Sequence, residues 1–203
     1  MNLPNLITLS RVPTLFVVVV LLYSREPWSD TAAFALFVAG GITDWLDGYL
    51  ARRMKLISNF GKLMDALTDK VLIVGLMMAL LVPMPGGPAL LPGWAVFLVL
   101  LIFAREFLIT GLRLVAMSQG VVLAAERSGK IKTVLQIVSI AFLLLDHALQ
   151  MDFGVSAGGY GPVQQIGLWL FVAAAVVTTA SGAGYLVKYW DLFMGKTETV
   201  KGK

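Results

Sequence analysis

Four aspartates in two neighbouring apolar stretches are the residues of this chain whose type and spacing could do chemistry. Asp44 and Asp47 lie in one stretch, and Asp65 and Asp69 lie in the next. An ionised carboxylate near the middle of a bilayer costs about 2.5–3.5 kcal/mol on insertion scales. Four such charges need a group that neutralises them, and bound divalent metal ions are the simplest such group. Metal beside a lipid indicates chemistry on a phosphate.

Helical spacing would place each pair of aspartates on one face of its helix. Asp44 and Asp47 are separated by three positions, and Asp65 and Asp69 by four. Residues at these separations are neighbours on a helix surface. Carboxylate oxygens are the hard ligands that Mg²⁺, Mn²⁺ or Ca²⁺ prefer. The spacing therefore predicts a metal site between two helices.

Small and basic residues accompany the aspartates. Gly48 and Gly61 carry no side chain, so a bulky ligand or another helix can come close to the carboxylates. Arg52 falls where the helix would reach the membrane surface, in position to bind a phosphate. In a purely structural alternative, Arg52 and Lys70 pair with aspartates that only hold helices together, but two carboxylates would then remain unpaired.

Composition identifies a membrane protein and excludes several kinds of metal site. Apolar residues make up 58% of the 203 residues and charged residues only 14%, against about 25% in a soluble domain. The mean hydropathy is +0.84. Cysteine is absent and His147 is the only histidine, so zinc sites built on thiolates or several imidazoles are excluded. We expect His147 to be a solvated residue at the membrane interface.

Six apolar stretches predict an all-α integral membrane protein with six transmembrane helices. Each stretch approaches the ~20 residues that cross a bilayer. Residues 2–11 suit a short N-terminal interfacial helix, which Pro4 can open and which continues into the first span. We expect one membrane domain over residues 1–195 and a polar tail over 196–203. The spans are placed near residues 12–24, 32–53, 61–82, 93–117, 130–150 and 163–187.

Basic residues predict the orientation of these helices. One set of loops and ends is rich in lysine and arginine, whereas the opposite loops hold Arg25 as their only basic residue. The positive-inside rule then places both termini in the cytoplasm, in agreement with an even number of spans. The aspartates would lie at the cytoplasmic side of a multi-pass protein, which we expect in a bacterial inner membrane.

The run D-x2-D-G-x2-A-R-x8-G-x3-D-x3-D resembles the signature of the CDP-alcohol phosphotransferases. The resemblance covers every fixed position of that signature: Asp44, Asp47, Gly48, Ala51, Arg52, Gly61, Asp65 and Asp69. It implies a six-helix enzyme, usually a homodimer, that transfers a phosphatidyl group from a CDP-linked lipid to an alcohol and releases CMP. The expected donor is CDP-diacylglycerol, and no nucleic-acid partner is expected.

The resemblance also implies roles for individual residues. Two divalent cations (Mg²⁺ or Mn²⁺) would be held by Asp44, Asp47 and Asp65, and Asp69 would touch metal and act as general base. The family's nucleotide-lipid contacts fall here on Gly48, Ala51, Arg52, Ser58, Gly61, Thr8 and Arg11.

A second group of basic residues indicates an acceptor that carries phosphate. Arg113, Arg127, Lys130 and Lys132 gather near the predicted cytoplasmic face. The alternative is that some of them only mark this side of the membrane or touch anionic lipid. Arg105 and Glu106 would lie deeper, as a structural pair or as support for site residues.

The wider pattern resembles the bacterial branch of the family that makes phosphatidylglycerophosphate. It consists of residues 4–11, the pair Arg105 and Glu106, and residues 129–133. The implied acceptor is sn-glycerol 3-phosphate. Inositol phosphate, or phosphatidylglycerol in cardiolipin synthesis, would use the same metal centre and stays open.

Two functions from other classes, a cation transporter and an inactive scaffold, fit the sequence less well than an enzyme. Intramembrane carboxylates also line cation pathways, but transporters typically carry repeats or broken helices near the bilayer midplane. Here the acids lie at one edge, without a repeat and with Arg52 and Lys70 nearby. An inactive scaffold would have little reason to keep four costly charges.

Overall fold

The structure is a computed structural model that describes residues 3–54, 59–118, 127–155 and 160–190. For residues 3–9, 44–54, 59–66, 118 and 127–129 the description covers the backbone alone. Within these ranges the chain is all helical and contains no strand, as the sequence predicts. The six helices are α1 (Leu3–Leu22), α2 (Ser29–Met54), α3 (Asn59–Ala79), α4 (Ala95–Ser118), α5 (Arg127–Met151) and α6 (Pro162–Lys188).

Hydropathy and length let three of the described helices cross a membrane. The apolar spans are Ala95–Met117 in α4, Lys130–Met151 in α5 and Pro162–Lys188 in α6. Shorter apolar segments, Ser10–Leu22 and Ser29–Thr43, lie in α1 and α2. A helix satisfies its own backbone hydrogen bonds, which is why apolar stretches of this length fold as helices in lipid.

The first helix continues from the N-terminal segment into the first apolar stretch, as the sequence predicts. Residues 3–11 and the apolar stretch that follows form one continuous helix, α1, with Pro13 inside it. Proline removes one backbone donor from the helix interior. In the next turn, the Thr14 hydroxyl donates a hydrogen bond to the Ser10 carbonyl, 2.8 Å away. The continuity fixes the position of Arg11 relative to the rest of α1.

The helices pack in two groups, α1 to α3 and α4 to α6, and α3 also contacts α4 and α5 of the second group. Helix α1 packs against α2 and α3, whereas α6 packs against α5 and α4; α2 also contacts α5. Leu76 and Met77 of α3, and Leu80 just after it, are completely buried in the core that results, with Leu143 of α5 and Phe171 of α6. Large apolar side chains also face outward, among them Phe97, Trp169 and Val187. An apolar exterior over an apolar core is what a bilayer requires.

Polar side chains hold the end of α5 against the start of α2. Asp152 follows α5 and accepts hydrogen bonds from the backbone N–H groups of Trp28 (3.1 Å) and Thr31 (2.7 Å). It thereby satisfies donors that the first turn of α2 leaves without helical partners.

The prediction that His147 is solvated is wrong. Its side chain is 4% exposed, and its Nε2 lies 3.3 Å from Oδ1 of Asp30, which is also buried. This end of the bundle is therefore more closely packed than the sequence indicated.

Candidate active site

A cavity of about 250 Å³ lies between α1, α2, α3 and α5. Its polar wall is formed by Ser10, Arg11 and Thr14 of α1, Thr43 of α2 and Asp69 of α3. Apolar side chains, including Leu36, Phe37, Leu72, Ile73 and Ile137, form most of the remainder. A polar wall beside an apolar one suits an amphipathic ligand, such as a lipid with a charged headgroup.

Arg11 and Asp69 face each other across the polar wall. Nη1 of Arg11 lies 4.0 Å from Oδ1 of Asp69. Arg11 is 15% exposed and Asp69 is 36% exposed, so the carboxylate stays accessible. A guanidinium next to an accessible carboxylate provides an anion-binding group and a proton acceptor in one place.

The other aspartates are close in sequence to residues that line the cavity or lie in the helices that form it. Thr43, which lines it, directly precedes Asp44 in α2. Asp44 and Asp47 have helical backbone in α2, and Asp65 and Asp69 in α3, so the predicted spacing on helix faces is confirmed. The side chains of Asp44, Asp47 and Asp65 lie outside the described residues.

The predicted nucleotide contacts are covered to different extents. Arg11 is in the cavity wall. Thr8 in α1, Gly61 in α3, and Gly48, Ala51 and Arg52 in α2 are described by helical backbone alone. Ser58 lies outside the described residues.

The donor chemistry at this position fits divalent cations. Asp69 presents a hard oxygen ligand to the cavity, and Asp44 and Asp47 continue the helix beyond Thr43. No group of three potential metal ligands occurs among the described side chains, a set that includes only one of the four aspartates. The predicted ligand set therefore stays a prediction.

A second polar cluster connects α4, α5 and α6. Lys132 of α5 donates a hydrogen bond to Oε1 of Glu106 in α4. Nη1 of Arg105 lies 3.4 Å from the same oxygen, which confirms the predicted pairing of Arg105 with Glu106. Nη2 of Arg105 donates to the Ser181 hydroxyl of α6 at 3.0 Å.

The remaining predicted acceptor residues differ in their surroundings. Arg113 lies over the ring of Tyr185, 5.3 Å from its centroid, and Nε donates to the Tyr185 hydroxyl at 3.4 Å. Lys130 is exposed, and Arg127 is described by helical backbone alone. The structure thus brings Lys132 and Arg113 into buried or half-buried polar contacts.

Tyr185 and Ser181 are site neighbours that sequence reasoning missed. Both lie in the mainly apolar helix α6, within three positions of Gly182. A Cβ atom on Gly182 would lie 2.6 Å from Cγ of Arg105, so the glycine makes room for that side chain. Polar residues flanking a glycine inside an apolar helix were the available signal.

A larger cavity, about 580 Å³, lies at the start of α2 and is lined by Arg25, Trp28, Asp30 and Asp152, among others. None of the predicted site residues lines it. The smaller cavity is the candidate active site because it holds Asp69 and Arg11.

Comparison with known proteins defines the class of enzyme. Residues 1–180 match the family described as CDP-alcohol phosphatidyltransferase. The match spans most of the chain, including all four aspartates, and the chain belongs to this family.

Relatives of this chain within the family carry the name of one particular enzyme. The chain is 37% identical over 202 residues to the CDP-diacylglycerol–glycerol-3-phosphate 3-phosphatidyltransferase of Bacillus subtilis (strain 168), covering 94% of this chain and 96% of the relative. It is 33% identical over 219 residues to a protein of the same name from Cereibacter sphaeroides, with 95% and 94% covered. A chloroplastic/mitochondrial relative from Arabidopsis thaliana is 33% identical over 96% of this chain and 64% of its own length.

Proposed function

We propose that this chain transfers the phosphatidyl group of CDP-diacylglycerol to sn-glycerol 3-phosphate, giving phosphatidylglycerophosphate and CMP. The proposal rests on the cavity between α1, α2, α3 and α5. Its polar wall contains Asp69, Arg11 and Thr43, and Thr43 directly precedes Asp44. The names of relatives that align over nearly their whole length supply the two substrates.

Asp69 is the proposed general base. Its accessible carboxylate accepts the proton of the acceptor hydroxyl as the oxygen forms its bond to the phosphorus that carries the diacylglycerol. The bond between this phosphorus and the CMP oxygen breaks, and CMP leaves with the electron pair. A loose phosphoryl-transfer transition state demands little basicity from the carboxylate.

Arg11 and the remaining aspartates hold the donor in this proposal. Arg11 binds a phosphate oxygen of the donor, and the apolar wall of the cavity receives the adjoining part of the lipid. Two divalent cations held by Asp44, Asp47, Asp65 and Asp69 would offset the negative charge of the pyrophosphate.

Lys132 and Arg113 are the proposed contacts for the acceptor phosphate, with Lys130 and Arg127 nearer the surface. A buried ammonium and a stacked guanidinium are suited to a phosphate monoester because both donate charge-assisted hydrogen bonds. An alcohol without phosphate would not use these charge-assisted hydrogen bonds.

We further propose six membrane spans with both termini and the active site on the cytoplasmic side, in a bacterial inner membrane, and a homodimeric enzyme. The charge asymmetry of the loops supports the orientation. The family resemblance is the support for the homodimer.

An acceptor panel tests the proposed function. Purified protein receives CDP-diacylglycerol and Mg²⁺ or Mn²⁺, and CMP release is measured with glycerol 3-phosphate, inositol phosphate, serine or phosphatidylglycerol. We expect rapid release with glycerol 3-phosphate only, and none after the metal is chelated. Rapid release with another alcohol alone would overturn the acceptor assignment, and no release with any alcohol would overturn phosphatidyl transfer.

A further inference from the structure

Glu106 is a buried acid that the proposed chemistry does not use. Its side chain is 7% exposed and that of Lys132 is 8% exposed, and the two meet through a direct hydrogen bond. A buried carboxylate is retained at a cost unless it is paired and hydrogen-bonded. Here one oxygen, Oε1, faces both Lys132 and Arg105.

The pair bridges two helices that hardly touch otherwise. Within the described residues, α4 packs against α3 and α6, whereas α5 packs mainly against α6 and α2. The long side chains of Glu106 and Lys132 therefore meet between helices whose backbones make few direct contacts. Small residues would serve where two helices pack closely, so helix packing alone does not explain a polar pair at this place.

Charge decides where the Lys132 ammonium lies. Among the described side chains that act on it electrostatically, Glu106 attracts the ammonium, whereas Arg105 and Lys70 repel it. Lys70 directly follows Asp69 in α3. Without Glu106, the buried ammonium would keep only the repulsion of these two cations.

The ammonium retains capacity for a further ligand. It has three N–H donors, and one described acceptor, Glu106, receives one of them. Two donors on a buried cation point to an anion that is not part of the described chain. A phosphate oxygen meets this need.

We propose that Glu106 is a positioning residue that holds the Lys132 ammonium for the phosphate of the acceptor. This inference rests on the proposed function. Arg105, held by Ser181 and accommodated by Gly182, supports Glu106 from the opposite side. Glu106 itself does not touch either substrate.

The test compares the kinetics of Glu106→Gln with those of the parent protein. The amide keeps the shape of the side chain but removes its charge. We expect the KM for glycerol 3-phosphate to rise about 10- to 100-fold, as for the loss of one charge-assisted hydrogen bond, with kcat and the KM for CDP-diacylglycerol nearly unchanged. An unchanged KM for glycerol 3-phosphate would overturn the inference.

A double-mutant cycle separates positioning from general structural support. If Glu106 acts through Lys132, adding Glu106→Gln to Lys132→Met should not raise the acceptor KM further. An equal additional loss in the Lys132→Met background, or a parallel loss for both substrates, would contradict positioning. Thr179→Ala is the matched control: it removes a part-buried hydroxyl hydrogen bond of α6, to the Ala175 carbonyl, that lies outside the cluster, and it should leave the acceptor KM unchanged.

Two further readouts keep the outcomes distinct. Glu106→Asp retains the charge on a shorter side chain and should give an acceptor KM between those of the parent and Glu106→Gln. If Glu106→Gln does not fold, Glu106→Asp becomes the test. A parental acceptor KM for Glu106→Asp would then overturn the inference. Turnover of glycerol 3-phosphate by the parent protein tests the proposed function separately. Its absence would overturn both, whereas parental turnover with an unaffected variant overturns the positioning role alone.

Discussion

Asp69 and Arg11 give the candidate active site its polarity. Their charged ends are 4.0 Å apart on one side of a cavity whose other walls are apolar. At this separation an ion pair is stronger in partly buried surroundings than in water, because the local dielectric constant is lower. The pair therefore places a positive charge beside a carboxylate that would be costly near the membrane without one.

Replacing Asp69 should separate binding from turnover. Asp69→Asn keeps an oxygen at the same position but has almost no basicity, so we expect CMP release to fall by about 100-fold or more while CDP-diacylglycerol still binds. Initial rates of CMP release and equilibrium binding of the donor lipid check this. Asp30→Asn is the matched control and should retain turnover. Asp30 is a buried aspartate in the first turn of α2, and it lines the larger cavity and not the candidate active site. Parental turnover by Asp69→Asn would end the assignment of Asp69 as base.

Sequence reasoning identified the residues that bear charge but not all of their partners. Asp69 was predicted because charged side chains are expensive inside an apolar chain, and Arg11 because of the family resemblance. Arg113 and Lys132 were predicted from a basic cluster near the expected cytoplasmic face. The contact between Lys132 and Glu106 joins residues 26 positions apart, on helices with few other contacts. Helical spacing describes neighbours within one helix, so it gives no information on such a pair.

Helix α6 depends on small residues where it meets α5. A Cβ atom on Gly167 would lie 3.0 Å from Cγ of Leu143 and 3.2 Å from its backbone nitrogen. The Ser139 hydroxyl also donates to the Gly167 carbonyl at 2.8 Å, so the two backbones are held close together. Close approach of this kind increases packing between membrane helices.

Gly167→Ala should therefore loosen the pairing of α5 with α6. We expect the free energy of unfolding to fall by about 1–3 kcal/mol, since the backbone of α5 cannot move as freely as the end of a side chain. Thermal unfolding in detergent measures the change. Gly184→Ala, in the same helix, places its Cβ atom where nothing lies within 4 Å and should be neutral or slightly stabilising. Equal melting temperatures for Gly167→Ala and Gly184→Ala would contradict this packing.

Helix existence was predictable, whereas helix ends and end contacts were not. Long apolar stretches can fold only as helices in lipid, so all six helices followed from hydropathy. The burial of His147 did not, because it depends on Asp30 at the start of a different helix. The continuity of the N-terminal segment with the first span was predicted and is confirmed by α1, which passes through Pro13.

The bundle as a whole separates two polar ends by an apolar middle. Asp30, His147 and Asp152 lie at one end, and the candidate active site lies toward the other end of α2. The outward-facing apolar side chains between these ends match a bilayer. Charge asymmetry predicts which end faces the cytoplasm.

Single cysteines can test the proposed orientation, because the natural chain has none. We expect Glu26→Cys to react with a membrane-impermeant maleimide in intact spheroplasts, since Glu26 is exposed in the loop before α2. Lys196→Cys should react only after the membrane is opened. The parent protein controls for background labelling. The reverse pattern would place the active site on the outer side.

Metal binding tests the central claim most directly. Purified protein is titrated with Mn²⁺, and the free ion is followed by electron paramagnetic resonance; the proposal predicts two bound ions per chain. Asp44→Asn and Asp65→Asn, one from each helix, should each weaken this binding about 10-fold or more, whereas Asp30→Asn should bind Mn²⁺ as the parent does. Parental Mn²⁺ binding by both Asp44→Asn and Asp65→Asn would contradict a metal site shared by α2 and α3.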